Sequence, residues 1–448
     1  MLSPHHISDT IAAISTAPGR SGISIVKMSG PNAVNLVSGI FSNPNHPDFL
    51  KRAMVYGHIV DKTDHIDDVL VCVMKAPSSY TGEDVVEIQS HGGYAAAETI
   101  LEILLKSGAR IAGAGEFTKR AFLNGRLDLA QAEGVMEIVS ADTREHLKNA
   151  EHLLEGAFSK QIDKLITALT KTTSLLEYNI DFVDSGTQSV PKDDIKDALK
   201  ETIKTLDTMI TSYKTAKRIK NGLNVVIAGK VNSGKSSLFN KLLGKNRAIV
   251  NSIKGTTRDW IEEKIDLDGM SVNLIDTAGI RHTEDEIERE GVRKTEKLLK
   301  KADLILYLHN AADADSLPQV PHKDAQKQIT LLSRCDLAPD AAAPDGAISI
   351  SSKTGTGIDR LTTELTKRAE SLVKLGTSDA LVMVERHRTE IKRARKNLKT
   401  ALLSADEWSE EIISFEMTEG IHHLEAVIGR NIGIDVLDEI FQNFCVGK

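Results

Sequence analysis

Hydrophobic and polar positions follow different patterns in successive parts of this 448-residue chain. In the first part, short apolar runs such as GISIVKM and VLVCVMKA predict strands, and AAAETILEILLKSG predicts a helix that ends at Gly108. Strands and helices mixed in this way are typical of an α+β domain. We therefore expect residues 1–120 to form an N-terminal α+β domain.

From about Leu127, the apolar residues recur at steps of three and four, which predicts amphipathic helices. The first stripe is formed by Leu154, Phe158, Ile162, Leu165 and Leu169, and the second by Ile195, Leu199, Ile203, Leu206 and Ile210. The segment DSGTQSVPKDD separates them, and a similar helical texture returns after about residue 375. These patterns predict a helical domain in two parts, residues 121–217 and 374–448.

Between the two helical parts, short apolar runs alternate with helical or loop segments. The runs are LNVVIAG, SVNLID, ADLILYL, QITLLS and AISIS. This alternation predicts a parallel sheet covered by helices on both faces. The fold class is therefore multidomain α/β, with an α/β domain at residues 218–373 inserted into the helical domain.

Composition narrows the setting in which the protein works. No run of about 18 apolar residues is present, and the start MLSPHHISDT lacks the pattern of a secretory signal, so we expect a cytoplasmic protein without membrane contact. Cys72, Cys335 and Cys445 are too few and too widely spaced for a disulfide framework or a cysteine zinc site. The net charge of −7 leaves room for a local basic face, and the segment 385–399 carries seven cations. A solvated helix is the favoured interpretation of that segment, ahead of RNA contact.

A phosphate-binding loop follows the first strand of the inserted domain. GKVNSGKS, residues 229–236, fits G-x-x-x-x-G-K-[ST] between the strand LNVVIA and the helix SSLFNKLLG. Gly229 and Gly234 allow the backbone to turn its N–H groups toward phosphate oxygens, Lys235 brings positive charge, and the Ser236 hydroxyl is a Mg²⁺ ligand. The residues assigned to nucleotide binding here are Asn232, Ser233, Gly234, Lys235, Ser236 and Ser237.

Further motifs arrive in the order expected of a GTPase. GTTRD (255–259) provides Thr257 for Mg²⁺ and the γ-phosphate, and DTAG (276–279) provides Asp276, Thr277, Ala278 and Gly279. SRCD (333–336) stands where N-K-x-D is usual: Asp336 accepts hydrogen bonds from guanine, the Arg334 stem stacks on the base, and Ser333 is expected to lose a contact that asparagine makes. Ser351, Ser352 and Lys353 complete the set. We therefore predict GTP and Mg²⁺ as ligands.

Hydrolysis needs a group that positions water, and Ile280 occupies the place where many Ras-like GTPases carry glutamine. An alkyl side chain cannot orient water, so another residue must do so. Asn232 is placed to hold a monovalent cation beside the phosphates, where it would supply the charge of an arginine finger.

The ordered motifs resemble the MnmE (TrmE) family of tRNA-modifying GTPases over nearly the whole chain. Besides the GTPase set, the resemblance rests on DTIAAISTAPGRSGISIVKMSG, SYTGEDVVEIQSHGG, GAGEFTKRAFLNGRLDLAQAEG and the tail CVGK. It implies a folate-binding N-terminal domain, a helical domain and a Ras-like P-loop GTPase domain.

The resemblance also implies how hydrolysis is activated. K⁺ would be held by Asn232, Thr256 and the backbone carbonyls of Asn251 and Ile253, in a site completed when two GTPase domains dimerise. The same loop contributes Ser252, Lys254 and Gly255 to the nucleotide site. Its NSIK sequence departs from the threonine and aspartate usual in the family, a change that backbone ligation tolerates. Glu288 would orient the attacking water, and Arg258 of GTTRD is assigned to catalysis with it.

For the N-terminal domain, the resemblance implies binding of 5-formyl- or 5,10-methylene-tetrahydrofolate. Glu87 would pair with the pterin edge, and Lys27, Arg126 and Lys448 would lie near the folate. Lys27 keeps the charge of the arginine usual in the family and loses its bidentate geometry. Cys445, in a tail that does not fit a prenylation box, would lie near the modification centre. Whether Cys445 attacks uridine or shapes the site stays open.

The implied partners are tRNA, a second copy of the chain and the FAD-containing protein MnmG, in a heterotetramer. The complex would add an aminomethyl or carboxymethylaminomethyl group to C5 of the wobble uridine, with carbon from a folate and nitrogen from glycine or ammonia. GTP hydrolysis would drive conformational cycling. The alternatives are a ribosome-assembly or regulatory GTPase switch, which the folate-like N-terminal block and Cys445 argue against, and a coiled-coil scaffold, ranked low.

Overall fold

The computed structural model describes residues 9–181, 191–245, 261–277, 297–313, 327–339, 346–374, 382–407 and 409–448. The strands are β1 (Ile11–Ile14), β2 (Ile23–Ser29), β3 (Met54–Asp61), β4 (Asp64–Met74), β5 (Val85–His91), β6 (Arg110–Ile111), β7 (Leu223–Gly229), β8 (Ile261–Leu267), β9 (Met270–Asp276), β10 (Leu304–Asn310), β11 (Gln328–Ser333) and β12 (Ile348–Ile350). The helices are α1 (Ala33–Ser38), α2 (Tyr94–Lys106), α3 (Glu116–Leu123), α4 (Leu129–Val139), α5 (Arg144–Leu154), α6 (Ala157–Asp181), α7 (Lys192–Asn221), α8 (Lys235–Lys245), α9 (Ile358–Lys374), α10 (Glu385–Glu407), α11 (Glu410–Ile428) and α12 (Ile434–Gln442).

The chain divides into two compact units, each with a sheet of its own. One contains residues 1–136, 154–192 and 400–448, and the other residues 137–153 and 193–399. The three domain boundaries expected from the sequence, after residues 120, 217 and 373, stay predictions.

The first unit is built on a six-stranded sheet in the order β3-β4-β5-β2-β1-β6. Antiparallel pairs join β3 through β1, and β6 runs parallel to β1. Because side chains alternate across a strand, Val26, Val71 and Ile88 point to one face, where they form a core with α2. The strands and helix expected from GISIVKM, VLVCVMKA and AAAETILEILLKSG are confirmed.

Long helices complete the first unit, where α6 packs along α11. The buried line of α6 runs through Phe158, Ile162 and Leu169, as its apolar spacing predicts. The sequence pattern wrongly placed Leu154 in the same helix as Phe158. Leu154 is the last residue of α5, and Gly156, at φ +80°, separates that helix from α6. Helices commonly end at a glycine in the left-handed conformation. The spacing of apolar residues by three and four continues from α5 into α6 although the helix is interrupted between them.

The second unit holds a sheet in the order β12-β11-β10-β7-β9-β8. All neighbouring pairs are parallel except β8 with β9. One face packs against α8 and α9, and the other packs against the segment 297–302 through Leu298 and Ala302. The predicted parallel α/β sheet is confirmed, and β8 is an additional antiparallel strand that the apolar runs did not reveal.

The described helices contain no segment with both the length and the apolar character required to cross a bilayer. The predicted basic helix is confirmed as part of α10. Three of its cations form ion pairs: Arg388 with Glu385, Arg393 with Glu390, and Arg395 with Asp207. This pairing favours the solvated-helix interpretation.

Candidate functional site

The loop between β7 and α8 has the backbone shape of a phosphate cradle. Gly229 and Gly234 have φ values of +149° and +92°, and Asn232 is left-handed at +62°. A Cβ added to Gly229 would lie 2.5 Å from the Leu308 carbonyl oxygen, so a side chain does not fit there. The spacing of glycines in the sequence is therefore a geometric requirement of this turn.

Lys235, the first residue of α8, folds back into the loop. Its Nζ donates hydrogen bonds to the carbonyl oxygens of Gly229 at 3.0 Å and Lys230 at 2.8 Å. Burial lowers the pKa of this ammonium, and the Asp276 carboxylate opposes the shift. The positive charge is thus held inside the curve of the loop, where phosphate oxygens are stronger acceptors than carbonyls.

The oxygen groups suited to Mg²⁺ meet beside this lysine. Ser236 Oγ donates a hydrogen bond of 2.8 Å to the Oδ2 atom of Asp276, which ends β9 and is 1% exposed. Thr277 fixes the adjoining backbone, because its Oγ1 donates to the Ile227 carbonyl at 2.8 Å. A hydroxyl and a carboxylate are hard oxygen ligands of the kind that Mg²⁺ prefers, so these residues fit the ion.

Ser333 connects the expected base-binding loop to the phosphate loop. Its Oγ lies 2.7 Å from the Ser233 carbonyl and 2.9 Å from the His309 carbonyl, two acceptors that share one hydroxyl proton. The contact that serine is expected to lose relative to asparagine, with its effect on guanine affinity, stays a prediction, whereas the contact between Ser333 and the phosphate loop is present. The short side chain suffices because β11 ends directly beside that loop.

The other residues predicted to contact the nucleotide differ in their exposure. Arg334 has a left-handed backbone with φ +58°, and both its side chain and that of Asp336 are exposed. Ser351 is fully buried and accepts a hydrogen bond from the Thr354 N–H at 3.2 Å. Ser352 is half-buried, whereas Lys353 is exposed, as are Asn232, Ser236 and Ser237. An exposed carboxylate at Asp336 can face a base, as the motif predicts.

Part of the predicted site lies outside the described residues. These positions are Asn251, Ser252, Ile253, Lys254, Gly255, Thr256, Thr257, Arg258, Ala278, Gly279 and Glu288. Their assignments to K⁺, to the γ-phosphate and to hydrolysis stay predictions.

A second polar cluster lies on the sheet of the first unit. Lys27 on β2 is the direct cross-strand partner of Glu87 on β5, which in turn is opposite Cys72 on β4. The Lys27 ammonium lies 4.6 Å from the centre of the Tyr80 ring and 5.1 Å from that of Phe117. Aromatic faces attract a cation, so the rings fix the lysine over the sheet.

Burial and neighbouring charges shift the pKa values of two side chains in this cluster. Burial lowers the pKa of Lys27, the Glu87 carboxylate opposes that shift, and the charge of Lys448 adds to it. Burial also raises the pKa of the Cys72 thiol, as does Glu87. Two of the other residues predicted to contact folate, Glu87 and Lys448, therefore lie within electrostatic range of Lys27.

The C-terminal tail is fixed to the same region by its backbone. Val446 forms a β-bridge with Ala114, and the Cys445 carbonyl accepts a hydrogen bond from the Gly115 N–H at 3.2 Å. Gly447, at φ +89°, lies against β1, where a Cβ would be 2.7 Å from the Cα atom of Ser15. The side chain of Cys445 is exposed, so its thiol is accessible.

Arg126 lies against the turn that follows Tyr80. Its Cγ is 3.3 Å from the position that a Cβ on Gly82 would occupy, and its side chain is exposed. The positive charges of the cluster and the Glu87 carboxylate suit an anionic ligand that also carries N–H donors.

An additional buried residue, Arg120 on α3, was not singled out from the sequence. Its guanidinium forms ion pairs with Asp9 at 2.8 Å, Glu116 at 3.1 Å and Glu83 at 3.2 Å, although the residue is only 1% exposed. Glu83 also accepts a hydrogen bond from Ser29 on β2. The spacing of four between Glu116 and Arg120 was the available signal, since such residues are neighbours on a helix.

Two family models match this chain, one on each side of residue 128. One, "GTP-binding protein TrmE N-terminus", matches residues 10–126, and the other, "MnmE helical domain", matches residues 129–445. Among solved structures, the G domain of the T. maritima FeoB iron transporter is 25% identical over 33% of this chain and 98% of that chain. Its TM-score is 0.24.

Curated relatives match over the full length. The chain is 39% identical to the tRNA modification GTPase MnmE of Finegoldia magna, and 38% identical to that of Clostridioides difficile. It is 36% identical to the protein of the same name from Geobacter sulfurreducens. Each match spans 99% of this chain and 100% of the relative. The phosphate loop, the two sheets and these similarities together show that the chain belongs to the MnmE family of tRNA modification GTPases.

Proposed function

We propose that this protein hydrolyses GTP and, with the flavoprotein MnmG, adds an aminomethyl or carboxymethylaminomethyl group to C5 of the wobble uridine of certain tRNAs. The observation that supports the proposal is that one chain carries two clusters of polar groups suited to these two ligands. One is the phosphate loop with its Ser236–Asp276 pair, and the other is the Lys27–Glu87 cluster coupled to the C-terminal Lys448.

In the nucleotide site, Lys235 would exchange its two carbonyl partners for oxygens of the β- and γ-phosphates. Ser236 and Asp276 would hold Mg²⁺, which neutralises phosphate charge when bound. Asp336 would accept hydrogen bonds from the guanine N1–H and 2-amino groups, which adenine does not offer. Hydrolysis adds water to the γ-phosphorus and breaks its bond to the β–γ bridging oxygen, giving GDP and phosphate.

We further propose that K⁺ and dimerisation of the GTPase domain accelerate this step. Support comes from Asn232, whose exposed side chain projects from a left-handed position at the rim of the phosphate loop. A cation there would supply the transition-state charge that an arginine finger provides elsewhere. GTP turnover is then expected to fall sharply when Na⁺ replaces K⁺, and equal rates in the two buffers would reject this role.

In the sheet cluster, Glu87 would accept hydrogen bonds from the pterin of 5-formyl- or 5,10-methylene-tetrahydrofolate. Lys27, Arg126 and Lys448 would balance the anionic groups of the same molecule. The folate supplies the one-carbon unit when bound, and the exposed Cys445 thiol lies on the adjoining tail. MnmG would contribute FAD. Support for this arrangement is the electrostatic coupling of Lys27 to both Glu87 and Lys448.

The test is mass spectrometry of tRNA nucleosides from cells that lack the protein or carry a variant. The intact protein should restore the C5 group on the wobble uridine, and Lys235→Ala should restore much less of it, because its nucleotide binding is weakened. Cys445→Ser should abolish the modification while GTP turnover persists, which separates the two sites. An unchanged nucleoside spectrum after deletion would overturn the proposal.

A further inference from the structure

Three potential metal ligands meet on the hairpin formed by β3 and β4. They are His58 on β3 and His65 and Asp68 on β4, and one nitrogen or oxygen atom of each lies within 4.8 Å of the others. The two imidazole rings are 4.8 Å apart between centres and tilted by 35°. Within the described part of the chain, no other set of three His, Cys, Asp or Glu side chains comes this close.

A β-bulge creates this cluster. His58 is directly opposite Asp68, so both point to the same face of the sheet. His65 lies three residues from Asp68, a spacing that places side chains on opposite faces of a regular strand. The register shifts between Ile59 and Val60, so that Val60 is opposite His65 and the intervening Ile66 is the extra residue. The shift turns His65 to the face of the other two, which is how bulges redirect side chains.

The bulge accounts for the approach of all three side chains, whereas a hydrogen bond accounts for the approach of two of them. His65 Nε2 and Asp68 Oδ1 lie 3.0 Å apart, which accounts for these two groups and not for the approach of His58. A neighbouring pair, His91 with Asp67, shows what a His–carboxylate pair looks like alone. Its Nδ1 and Oδ1 atoms are 2.7 Å apart, and no second histidine among the described residues joins them in a cluster of three.

We propose that His58, His65 and Asp68 bind one divalent first-row transition-metal ion, with Zn²⁺ as the preferred occupant. Two imidazoles and one carboxylate are ligands suited to Zn²⁺, and a three-residue set leaves a fourth position for water. Nitrogen ligands disfavour Mg²⁺ and Ca²⁺, which take oxygen. A tetrahedral ion spaces its ligand atoms about 3.4 Å apart, so modest side-chain rotations complete the site.

The ion would join β3, the edge strand of the sheet, to β4. By strand alternation, it lies on the same face as Cys72 and Glu87, since Asp68, Leu70 and Cys72 follow one another at steps of two. The site is independent of the proposed nucleotide and folate chemistry, so its test does not depend on them.

The experiment titrates Co²⁺ into full-length, EDTA-treated protein in excess Mg²⁺, and the visible absorption of tetrahedral Co²⁺ reports binding. Zn²⁺ is then added and should displace the colour at one equivalent. His65→Ala and His58→Ala should each weaken Co²⁺ binding at least about tenfold, since loss of a ligand exceeds the effect of losing an outer partner. His91→Ala is the matched control and should bind as the intact protein does.

Thermal unfolding provides a second readout that does not depend on cobalt colour. Zn²⁺ should raise the unfolding temperature of the intact protein and of His91→Ala, because it binds the folded hairpin. Equal Co²⁺ affinity in the intact protein and His65→Ala, or equal loss in His91→Ala, would overturn the site. Circular dichroism verifies that each variant is folded. If a histidine variant fails to fold, Asp68→Asn, which changes the third proposed ligand, should weaken Co²⁺ binding in its place.

Discussion

The connection between the base loop and the phosphate loop can be tested through the hydroxyl of Ser333. This side chain is 4% exposed, and its Oγ lies within hydrogen-bond distance of carbonyl oxygens on Ser233 and His309. Ser333→Ala removes the donor and leaves both carbonyls in place. We expect the phosphate loop to lose part of the order that nucleotide binding requires.

The magnitude follows from the single proton of a hydroxyl. One hydrogen bond contributes about 1 kcal/mol, and a buried acceptor left without a partner raises the cost to about 3 kcal/mol. Since about 1.4 kcal/mol is a factor of ten, the affinity for GDP should fall between about 5-fold and about 100-fold. Ser333→Asn should keep most of the affinity, because an amide N–H replaces the hydroxyl as donor.

Fluorescence titration with a labelled guanine nucleotide measures the affinity, and chemical denaturation shows whether the fold has changed. Thr330→Val is the matched control: Thr330 lies on the same strand, where its hydroxyl accepts a hydrogen bond from the Gln328 amide. GDP affinity in Ser333→Ala equal to that of Thr330→Val would refute the connection. Weak binding by Ser333→Asn would show that fit, rather than donation, matters at this position.

Other residues give further predictions. Lys235→Ala should weaken GTP binding between about 10-fold and about 100-fold by calorimetry, because a charge-assisted contact is lost; unchanged affinity contradicts the role. Arg120→Met should lower the free energy of unfolding, measured in urea, by about 3 kcal/mol. Arg110→Ala is the comparison: the Arg110 side chain is 49% exposed, so its loss should cost under about 1 kcal/mol. Similar losses in the two variants would contradict the burial argument. Burial acts to raise the pKa of Glu137, but hydrogen bonds from His146 and Lys220 hold that pKa below its ordinary value. The ionised carboxylate therefore stabilises the fold at pH values above its pKa in the unfolded chain. This stabilisation disappears as the pH falls through the lower pKa that Glu137 has in the folded protein. Between about pH 6 and about pH 3, the free energy of unfolding measured in urea should fall less steeply for Glu137→Gln than for the intact protein. The same pH dependence in both proteins would contradict this prediction.

The sequence was most informative where backbone geometry demands particular residues. The phosphate loop is such a case, because Gly229 cannot carry a side chain and Lys235 must begin the following helix. Its position and the parallel strands around it were predicted correctly. Strand β8 was missed because too few of its residues are apolar to give a clear alternation of apolar and polar positions. Over residues 262–267 only Ile265 and Leu267 are buried, and the other four residues are charged. A short edge strand of this kind resembles a polar loop in sequence.

Contacts between distant parts of the chain were harder to foresee. Arg120 lies in a charged stretch whose composition suggests an exposed helix, and only the fold brings Asp9 and Glu83 to it. The bulge that turns His65 toward His58 also leaves no mark in the residue types, since strand spacing alone predicts opposite faces. Register and tertiary pairing decide these positions, and neither is encoded in local periodicity.

The charge balance of the sheet cluster has a consequence for ligand binding. The half-buried ammonium of Lys27 interacts with the Glu87 carboxylate and is also within electrostatic range of the positive charge of Lys448. Burial and the second ammonium make the charged form of Lys27 less favourable, and an anionic ligand would relieve that repulsion. A backbone bridge at Val446 and the Gly447 turn hold the tail that carries Lys448. In the proposed folate site, the tail would form part of the binding surface, and its removal should weaken the binding of an anionic ligand even though Lys27 and Glu87 remain.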